Sequence, residues 1–183
     1  MLITPVQLAE ESLPLNESIA EGVIDYAPDI RQIGPLALTG NAELIVEHRG
    51  PREFVEDIRL RAHFEGNFEL LCARCLEPVQ TPLSGEFDLI YRPSSVETEP
   101  GEHAITEDET EIGYYEKSGL LLEDAVREQV LLNLPGRALC RQECKGLCPK
   151  CGANRNLVDC GCVEEQTDPR WTALSGLTFG NKA

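Results

Sequence analysis

The sequence is poor in basic residues, with 16 lysines and arginines against 32 acidic residues and a net charge of −16. The deficit is uneven. Residues 1–85 carry 14 acids and 6 bases, residues 86–135 carry 13 and 3, and residues 136–183 carry 5 and 7. A chain this acidic repels phosphate backbones in general, so any contact with nucleic acid must be local or made through a protein partner.

Long apolar runs are also scarce. Even residues 120–122 count among the longer purely apolar pieces, whereas a membrane helix needs roughly 20 apolar residues. Residues 1–15 lack the basic region and apolar stretch of a signal peptide, and carry Glu10 and Glu11 instead. We therefore expect a cytoplasmic protein that has no membrane partner and keeps its thiols reduced.

Aromatic residues and histidines are few. With five Phe, four Tyr and one Trp, the sequence offers few large aromatic side chains for a core. Metal cross-links would usefully stabilise such a core. The three histidines, His48, His63 and His103, lie apart from one another and from the cysteines. A four-cysteine metal site leaves no open position for water or substrate. We therefore expect no enzyme activity and no small-molecule substrate.

Apolar residues recur at every second position between residues 33 and 91, a period typical of β-strands. Glycines at 40, 50, 66 and 85 interrupt this pattern and predict turns or bulges between antiparallel strands. A short strand is expected near residues 112–115. Apolar residues at helical spacing then predict a helix over residues 121–132, which Pro135 ends. The predicted fold class is α+β, an antiparallel β-sheet with one main helix and a zinc-stapled C-terminal segment.

This organisation divides the chain into four segments. Residues 1–93 form a β-rich region with a CxxC hairpin, and residues 94–111 an acidic linker or loop with seven acids and no base. Residues 112–135 supply a strand and the helix. Residues 136–183 form a cysteine-rich zinc-knuckle segment.

Eight cysteines stand in four close pairs, which suit two tetrahedral zinc sites better than a disulfide framework in a reducing compartment. The strongest signal is the run Gly-Leu-Cys-Pro-Lys-Cys-Gly over residues 146–152. Pro149 fixes the turn between its two cysteines, and Gly152 permits the left-handed conformation that directs N–H groups to sulfur. The predicted zinc ligands are Cys72, Cys75, Cys140, Cys144, Cys148, Cys151, Cys160 and Cys162.

Spacing alone leaves the grouping of these ligands open, since eight cysteines allow several combinations. Cys72 and Cys75 follow β-patterned sequence and look like a hairpin tip, which needs two further ligands from elsewhere. The nearest unassigned pair is Cys140 and Cys144, so the last four cysteines would form a local second site. The alternative for a CxxC pair is thiol chemistry, which would make the chain a zinc-thiol redox switch.

Several motifs occur together in the chain: Cys72-Ala-Arg-Cys75-Leu76, the acidic stretch, the helix before Pro135, the cysteine run over 144–152, Asn154-Arg-Asn156 and Asp168-Pro-Arg170. In this combination the sequence resembles the large ribosomal RNA subunit accumulation protein, or YceD, family of bacteria and plastids. The resemblance implies a non-enzymatic role in large ribosomal subunit biogenesis that supports large-subunit rRNA accumulation. The implied partner is the large-subunit precursor, as rRNA or as a ribosomal or assembly protein. No catalytic residue comes with the family.

Such a partner is polyanionic, so the few bases become candidate contacts. Arg59, Arg61 and His63 alternate along one strand and share a face opposite an apolar face. Other bases lie beside the cysteines, where bound metal would hold them rigidly enough to meet phosphates. The predicted partner-binding residues are Arg59, Arg61, His63, Arg74, Lys145, Lys150 and Arg155. The alternative, a solvated sheet face, stays open.

Overall fold

Three long consecutive strands dominate the computed structural model of this chain, which describes residues 1–50, 53–94, 112–116, 118–162 and 170. In chain order the elements are β1 (Leu2–Ile3), α1 (Pro5–Glu10), β2 (Leu13–Ile19), β3 (Ile30–Gly50), β4 (Glu53–Leu71), β5 (Pro78–Pro93), β6 (Ile112–Tyr115), β7 (Leu120–Leu121) and α2 (Leu122–Asn133). The predicted α+β character is confirmed. Within these ranges, neither helix has the length and apolar character of a membrane span.

The main sheet has five strands in the order β2-β3-β4-β5-β6, and β1 pairs separately with β7. Pairing from β2 to β5 is antiparallel, as expected, but β6 lies parallel to β5. A parallel neighbour needs a crossover of about a dozen residues or more, and residues 94–111 separate the two strands. The expectation of a wholly antiparallel sheet is therefore wrong at this edge.

Two of the four expected turns or bulges, at Gly40 and Gly85, are wrong, whereas Gly66 faces an irregularity in the β3–β4 pairing between Ile33 and Ala37. Gly40, Gly66 and Gly85 lie inside strands β3, β4 and β5. A Cβ on Gly40 would lie 2.1 Å from the carbonyl oxygen of Arg61, and a Cβ on Gly66 or Gly85 would lie 2.7 Å from the side chain of Leu36 or Phe64, respectively. Only Gly50, where β3 ends against β4, marks a reversal of the chain. The interior glycines therefore reflect close packing and not turns.

The core lies on one face of the sheet, as the alternation in β4 predicts. Residues 58, 60, 62 and 64 of that strand are buried, while Arg61 and His63 are exposed on the opposite face. Helix α2 packs against β5 and buries an apolar stripe that consists of Leu122, Ala125, Val126 and Val130. Its bounds lie within one residue of the predicted helix, and Asn133 is its last residue, two before Pro135.

The N-terminal elements were not predicted. Thr4 caps α1 by accepting a hydrogen bond from the Gln7 N–H, and Pro5 occupies the first helical turn. The N-terminal amine of Met1 forms an ion pair with Glu123 in the first turn of α2. Helix α1 has only six residues, too few for a periodic signal, so its cap was the only available clue.

Two parts of the sequence prediction fall outside the described residues. These are residues 95–111 of the acidic linker, and Asp168 and Pro169 of the family motif. The four-segment division of the chain therefore stays a prediction.

Replacing Gly40 by Ala should lower the free energy of unfolding by about 1–3 kcal/mol or more, because the backbone of β4 cannot rotate away as a side chain can. Gly136 is the matched control, since a Cβ there meets nothing within 4 Å. Gly136→Ala should change stability by less than about 0.5 kcal/mol. Urea unfolding compares the two variants, and equal stabilities would contradict the close approach of β3 and β4.

Candidate metal centres

Cys72 and Cys75 lie in the tight loop between β4 and β5, at the tip of an antiparallel hairpin. The Cys72 N–H donates to the Glu77 carbonyl at 2.8 Å, and the Leu76 N–H donates to the Cys72 carbonyl at 2.9 Å. Leu76 has a φ of 60°, a left-handed conformation that residues other than glycine seldom adopt. The hairpin tip therefore closes as a compact knuckle around its two cysteines.

Cys148 and Cys151 lie in a second knuckle with the same hydrogen bonds. The Gly152 N–H donates to the Cys148 carbonyl, and the Cys148 N–H donates to the Ala153 carbonyl, both at 2.8 Å. Gly152 has a φ of 72°, the left-handed conformation that the sequence predicts for it. It occupies the position equivalent to that of Leu76, so the two knuckles share one local geometry.

The eight thiols form two clusters, and within each cluster all four sulfur atoms lie within 4.8 Å of one another. The first cluster consists of Cys72, Cys75, Cys140 and Cys144, and the second of Cys148, Cys151, Cys160 and Cys162. These are the two groups that sequence order favours. All eight cysteines are free thiols, so each cluster offers four soft ligand atoms to one metal ion.

The first cluster joins two distant parts of the chain. The Ala73 N–H donates to the Ala138 carbonyl at 2.9 Å, and the Leu147 N–H donates to the Arg74 carbonyl at 2.9 Å. The Arg74 guanidinium donates to the carbonyls of Gln142 (3.1 Å) and Cys144 (2.9 Å). Residues 138–147 are thereby held against the hairpin tip.

Sulfur separations in the first cluster suit a tetrahedral metal ion. Cys72 Sγ lies 3.9 Å from Cys144 Sγ, and Cys75 Sγ lies 3.6 Å from Cys140 Sγ. Four sulfurs about 2.3 Å from a central zinc would stand roughly 3.8 Å apart at the corners of a tetrahedron. A disulfide would need a separation of about 2.05 Å. The cluster can therefore hold one four-coordinate ion.

The electrostatics of both clusters favour a bound cation. The Cys140 N–H donates to Cys72 Sγ at 3.4 Å and lowers the pKa of Cys72 to about 6. The Cys151 N–H lowers the pKa of Cys148 to about 6 in the same way. Within the second cluster, the neighbouring Cys151 thiol raises the pKa of Cys162 to about 12. Four adjacent thiolates repel one another, so full ionisation requires a metal ion in place of the protons.

The two clusters differ in exposure. In the first cluster, Cys72, Cys75 and Cys144 are buried and Cys140 is exposed. In the second, Cys148 alone is buried. An ion in the first cluster would therefore be shielded by protein on most sides, and one in the second would lie near the surface.

A family model covers this part of the chain. The model for the large ribosomal RNA subunit accumulation protein YceD matches residues 60–178, well over half of the sequence and all eight cysteines. The chain belongs to the YceD family. The resemblance seen in the sequence motifs is thereby confirmed.

The chain is also similar to individual proteins of other organisms. It is 36% identical over 104 residues to an uncharacterized protein of Mycobacterium bovis, covering 56% of this chain and 47% of the relative. An uncharacterized protein of Mycobacterium leprae is 30% identical over 110 residues, with 58% and 46% covered. The chain thus spans about half the length of these mycobacterial relatives.

A plant relative carries a functional name. The large ribosomal RNA subunit accumulation protein YCED homolog 1, chloroplastic, of Arabidopsis thaliana is 40% identical over 52 residues, covering 28% of this chain and 16% of the relative. No solved structure matches the chain significantly.

Asn156 is a site residue that the cysteine pattern does not predict. Its Nδ2 donates to Cys144 Sγ at 3.3 Å, and its Oδ1 accepts from the Lys145 N–H at 2.9 Å. Asn154 lies beside it and donates to the Glu77 carboxylate at the hairpin tip, at 3.1 Å. The Asn154-Arg-Asn156 motif, which the sequence offers only as a family signature, therefore contacts Cys144 of the first cluster and the hairpin tip.

The predicted partner-binding residues do not form one surface of unpaired charge. Arg59 makes a bidentate bond to Asp88, at 2.8 and 2.6 Å, and lowers the pKa of that carboxyl. Arg61 pairs with Glu43 at 2.7 Å. Of the three predicted residues on this strand, His63 alone makes no hydrogen bond or ion pair with the part of the chain that the structure describes. The sheet face is therefore a mixed-charge surface.

The remaining predicted contacts lie near the cysteines. Arg74 is engaged with two carbonyls of the C-terminal segment, as described above. The exposed residues Lys145, Lys150 and Arg155 lie on the segment that carries the second knuckle. Together with Arg74, these three residues are the predicted basic contacts that lie beside the cysteines in the chain.

Changing Cys72 and Cys75 together to Ser should remove one of two metal ions per chain and leave the second cluster loaded, because hydroxyls are poor substitutes for thiolates. The same change should loosen residues 138–147 from the hairpin, which faster amide exchange at Ala73 and Leu147 would report. Elemental analysis of the purified variant measures the stoichiometry. A variant that keeps both ions would refute the grouping.

Proposed function

We propose that this chain binds two zinc ions through its two cysteine clusters and acts as a non-enzymatic factor in large ribosomal subunit biogenesis. The observation that carries the proposal is the presence of two complete four-cysteine sets in a member of the YceD family. The role in accumulating large-subunit rRNA comes from the family description and from the name of the Arabidopsis relative.

Zinc is the ion that this donor set suits best. Tetrahedral sites with four thiolates select zinc or iron, and paired cysteines on tight knuckles are typical of structural zinc. Four thiolates fill the tetrahedral shell, so neither centre would retain a position for water or substrate. This closure supports a structural role for the metal and a function without catalysis.

The first centre would hold the C-terminal segment against the sheet. Among the residues that the structure describes, Cys72, Cys75 and Cys144 form a small buried cluster with Val79, Leu139 and Leu147 packed against it, separate from the main core. So few apolar groups stabilise a junction weakly. Structural zinc contributes about 10–16 kcal/mol in isolated fingers, enough to decide whether the segment stays docked.

Charge favours the knuckle end of the molecule as the contact with a polyanionic precursor. Residues 136–162 carry five bases and two acids, against 16 bases and 32 acids in the whole chain. Six of the eight thiolates lie in this segment, so its own thiolates together with two Zn²⁺ ions would leave it near neutral. The rest of the chain remains strongly acidic and would be repelled by phosphates. We place the contact at Lys145, Lys150 and Arg155.

The role of the knuckle bases can be tested in cells depleted of the protein, where large-subunit rRNA should fall relative to small-subunit rRNA. Lys145→Glu with Lys150→Glu should fail to restore it, because charge reversal repels phosphate, while zinc content and thermal stability stay near wild type. Arg31→Glu, an exposed base in β3, is the control and should restore it. Quantifying both rRNAs across sucrose gradients measures the outcome.

A further variant in this experiment separates the competing surfaces. Arg59→Glu with Arg61→Glu tests the sheet face. If this variant alone fails to restore large-subunit rRNA, the contact lies on the sheet face and not at the knuckle bases. Full rescue by every charge-reversed variant would contradict a basic contact altogether. Recognition would then run through the acidic surface to a basic ribosomal or assembly protein.

The zinc-thiol redox switch remains the second candidate function, because the exposure of Cys151 and Cys162 would let an oxidant reach the second cluster. If the zinc has a purely structural role, micromolar hydrogen peroxide should leave the zinc content and the binding of large-subunit precursors unchanged on a timescale of minutes. Zinc release is followed with a chromophoric chelator. Rapid release of one ion, accompanied by a gain or loss of binding that a thiol reductant reverses, would favour the switch.

A further inference from the structure

Asn156 bonds to the first cluster although it lies in the chain segment that carries the second. All four hydrogen-bonding positions of its amide are used. Nδ2 donates to Cys144 Sγ at 3.3 Å and to Asn154 Oδ1 at 2.8 Å. Oδ1 accepts from the Lys145 N–H at 2.9 Å and from Arg141 Nη2 at 2.8 Å. A flipped amide would set its oxygen against Cys144 and its nitrogen against two donors, so this orientation alone satisfies the network.

The position of Asn156 depends on the loop around the second knuckle. Leu147 pairs with Asn154 in an antiparallel bridge. The Arg155 N–H donates to the Gly146 carbonyl at 2.9 Å, and the Cys148 N–H donates to the Ala153 carbonyl at 2.8 Å. Residues 153–156 therefore lie alongside residues 146–148 because the knuckle between them is closed.

We infer that Asn156 couples the two metal centres, so that an ion bound in the second cluster raises the affinity of the first cluster for its own ion. The inference rests on the proposed function, in which both clusters bind zinc. An ion in the second cluster would hold the second knuckle closed, and the closed knuckle keeps residues 153–156 alongside residues 146–148. The amide is then already aligned on Cys144 when the first ion binds. Coupling between binding sites is reciprocal, so the first ion strengthens the second site by the same factor.

The N–H···S bond gives the coupling its chemical basis. A donor directed at a ligand sulfur stabilises the thiolate and fixes its orientation, and loss of such an outer partner typically lowers metal affinity roughly 10- to 100-fold. Asn156 also bonds the Lys145 N–H, next to Cys144 in the chain, so it restrains the ligand through both its sulfur and its adjacent backbone. We therefore assign it as a positioning residue for the first centre.

The test measures the zinc affinity of the first centre by competition with a chromophoric chelator. Cys160→Ser with Cys162→Ser removes the second centre but keeps Asn156, and should weaken the first centre roughly tenfold. Asn156→Ala should weaken it by a similar factor or more with the second centre intact. The combined variant should be no weaker than Asn156→Ala alone, because the coupling passes through this amide. Asn16→Ala, at an exposed position in β2, should match wild type.

Asn156→Asp provides a nearly isosteric second variant. It keeps the oxygen that accepts from Lys145 and Arg141, but turns a carboxylate oxygen towards Cys144 in place of the N–H donor. Cobalt(II) bound to the first centre should then show a shifted thiolate charge-transfer band, which a merely structural role for Asn156 would leave in place.

The outcomes separate this inference from the proposed function. If the Cys160→Ser, Cys162→Ser variant keeps the wild-type affinity at the first centre, the centres are independent and the coupling is refuted, while zinc binding stands. If the wild-type chain binds no zinc, the proposed function falls as well. Should Asn156→Ala prove insoluble, the comparison of wild type with the Cys160→Ser, Cys162→Ser variant still decides the point.

Discussion

The position of the C-terminal segment, residues 138–162, depends on the four thiols that meet at the tip of the β4–β5 hairpin. Cys75 and Cys140 are 65 residues apart in the chain, and Cys72 and Cys144 are 72 residues apart. Little apolar surface accompanies them, so the main core cannot hold residues 138–162 in place. The docking hydrogen bonds of Arg74, Leu147 and Asn156 all form around this point, and each presupposes that the segment has already reached the hairpin.

The sheet supplies the rigid platform for that contact. Strands β4 and β5 pair without a break from Ile58 and Tyr91 to Leu71 and Pro78, which delivers the hairpin tip in a fixed register. The buried face of β5 packs against α2, and the opposite face of the two strands carries ion pairs between neighbouring strands. The main core and the buried cluster at the first candidate metal centre are thus separate, and they are joined by the β4–β5 hairpin and by the chain that follows α2.

Much of this arrangement could be predicted from the sequence, because it rests on local chemistry. The alternation in β4 gave its buried face, the spacing of Leu122 to Val130 gave α2, and Gly152 gave the knuckle conformation. Gly40 lies inside a strand although the sequence predicts a turn or bulge there, because a glycine required by a close neighbour, here 2.1 Å from its missing Cβ, looks the same in sequence as one required by a turn. The parallel edge strand, the neutralisation of Arg59 and Arg61, and the bond from Asn156 to Cys144 depend on contacts between distant residues, which periodicity does not encode.

Membership of the YceD family and the two cysteine clusters lead to one central claim, that structural zinc docks the C-terminal segment onto the sheet. X-ray absorption at the zinc edge of the purified reduced protein tests it most directly. The account predicts two zinc ions per chain, each with a first shell of four sulfur atoms at about 2.3 Å and no oxygen or nitrogen ligand. A shell with fewer sulfurs and a bound water, or a reduced protein that folds fully without metal, would contradict it.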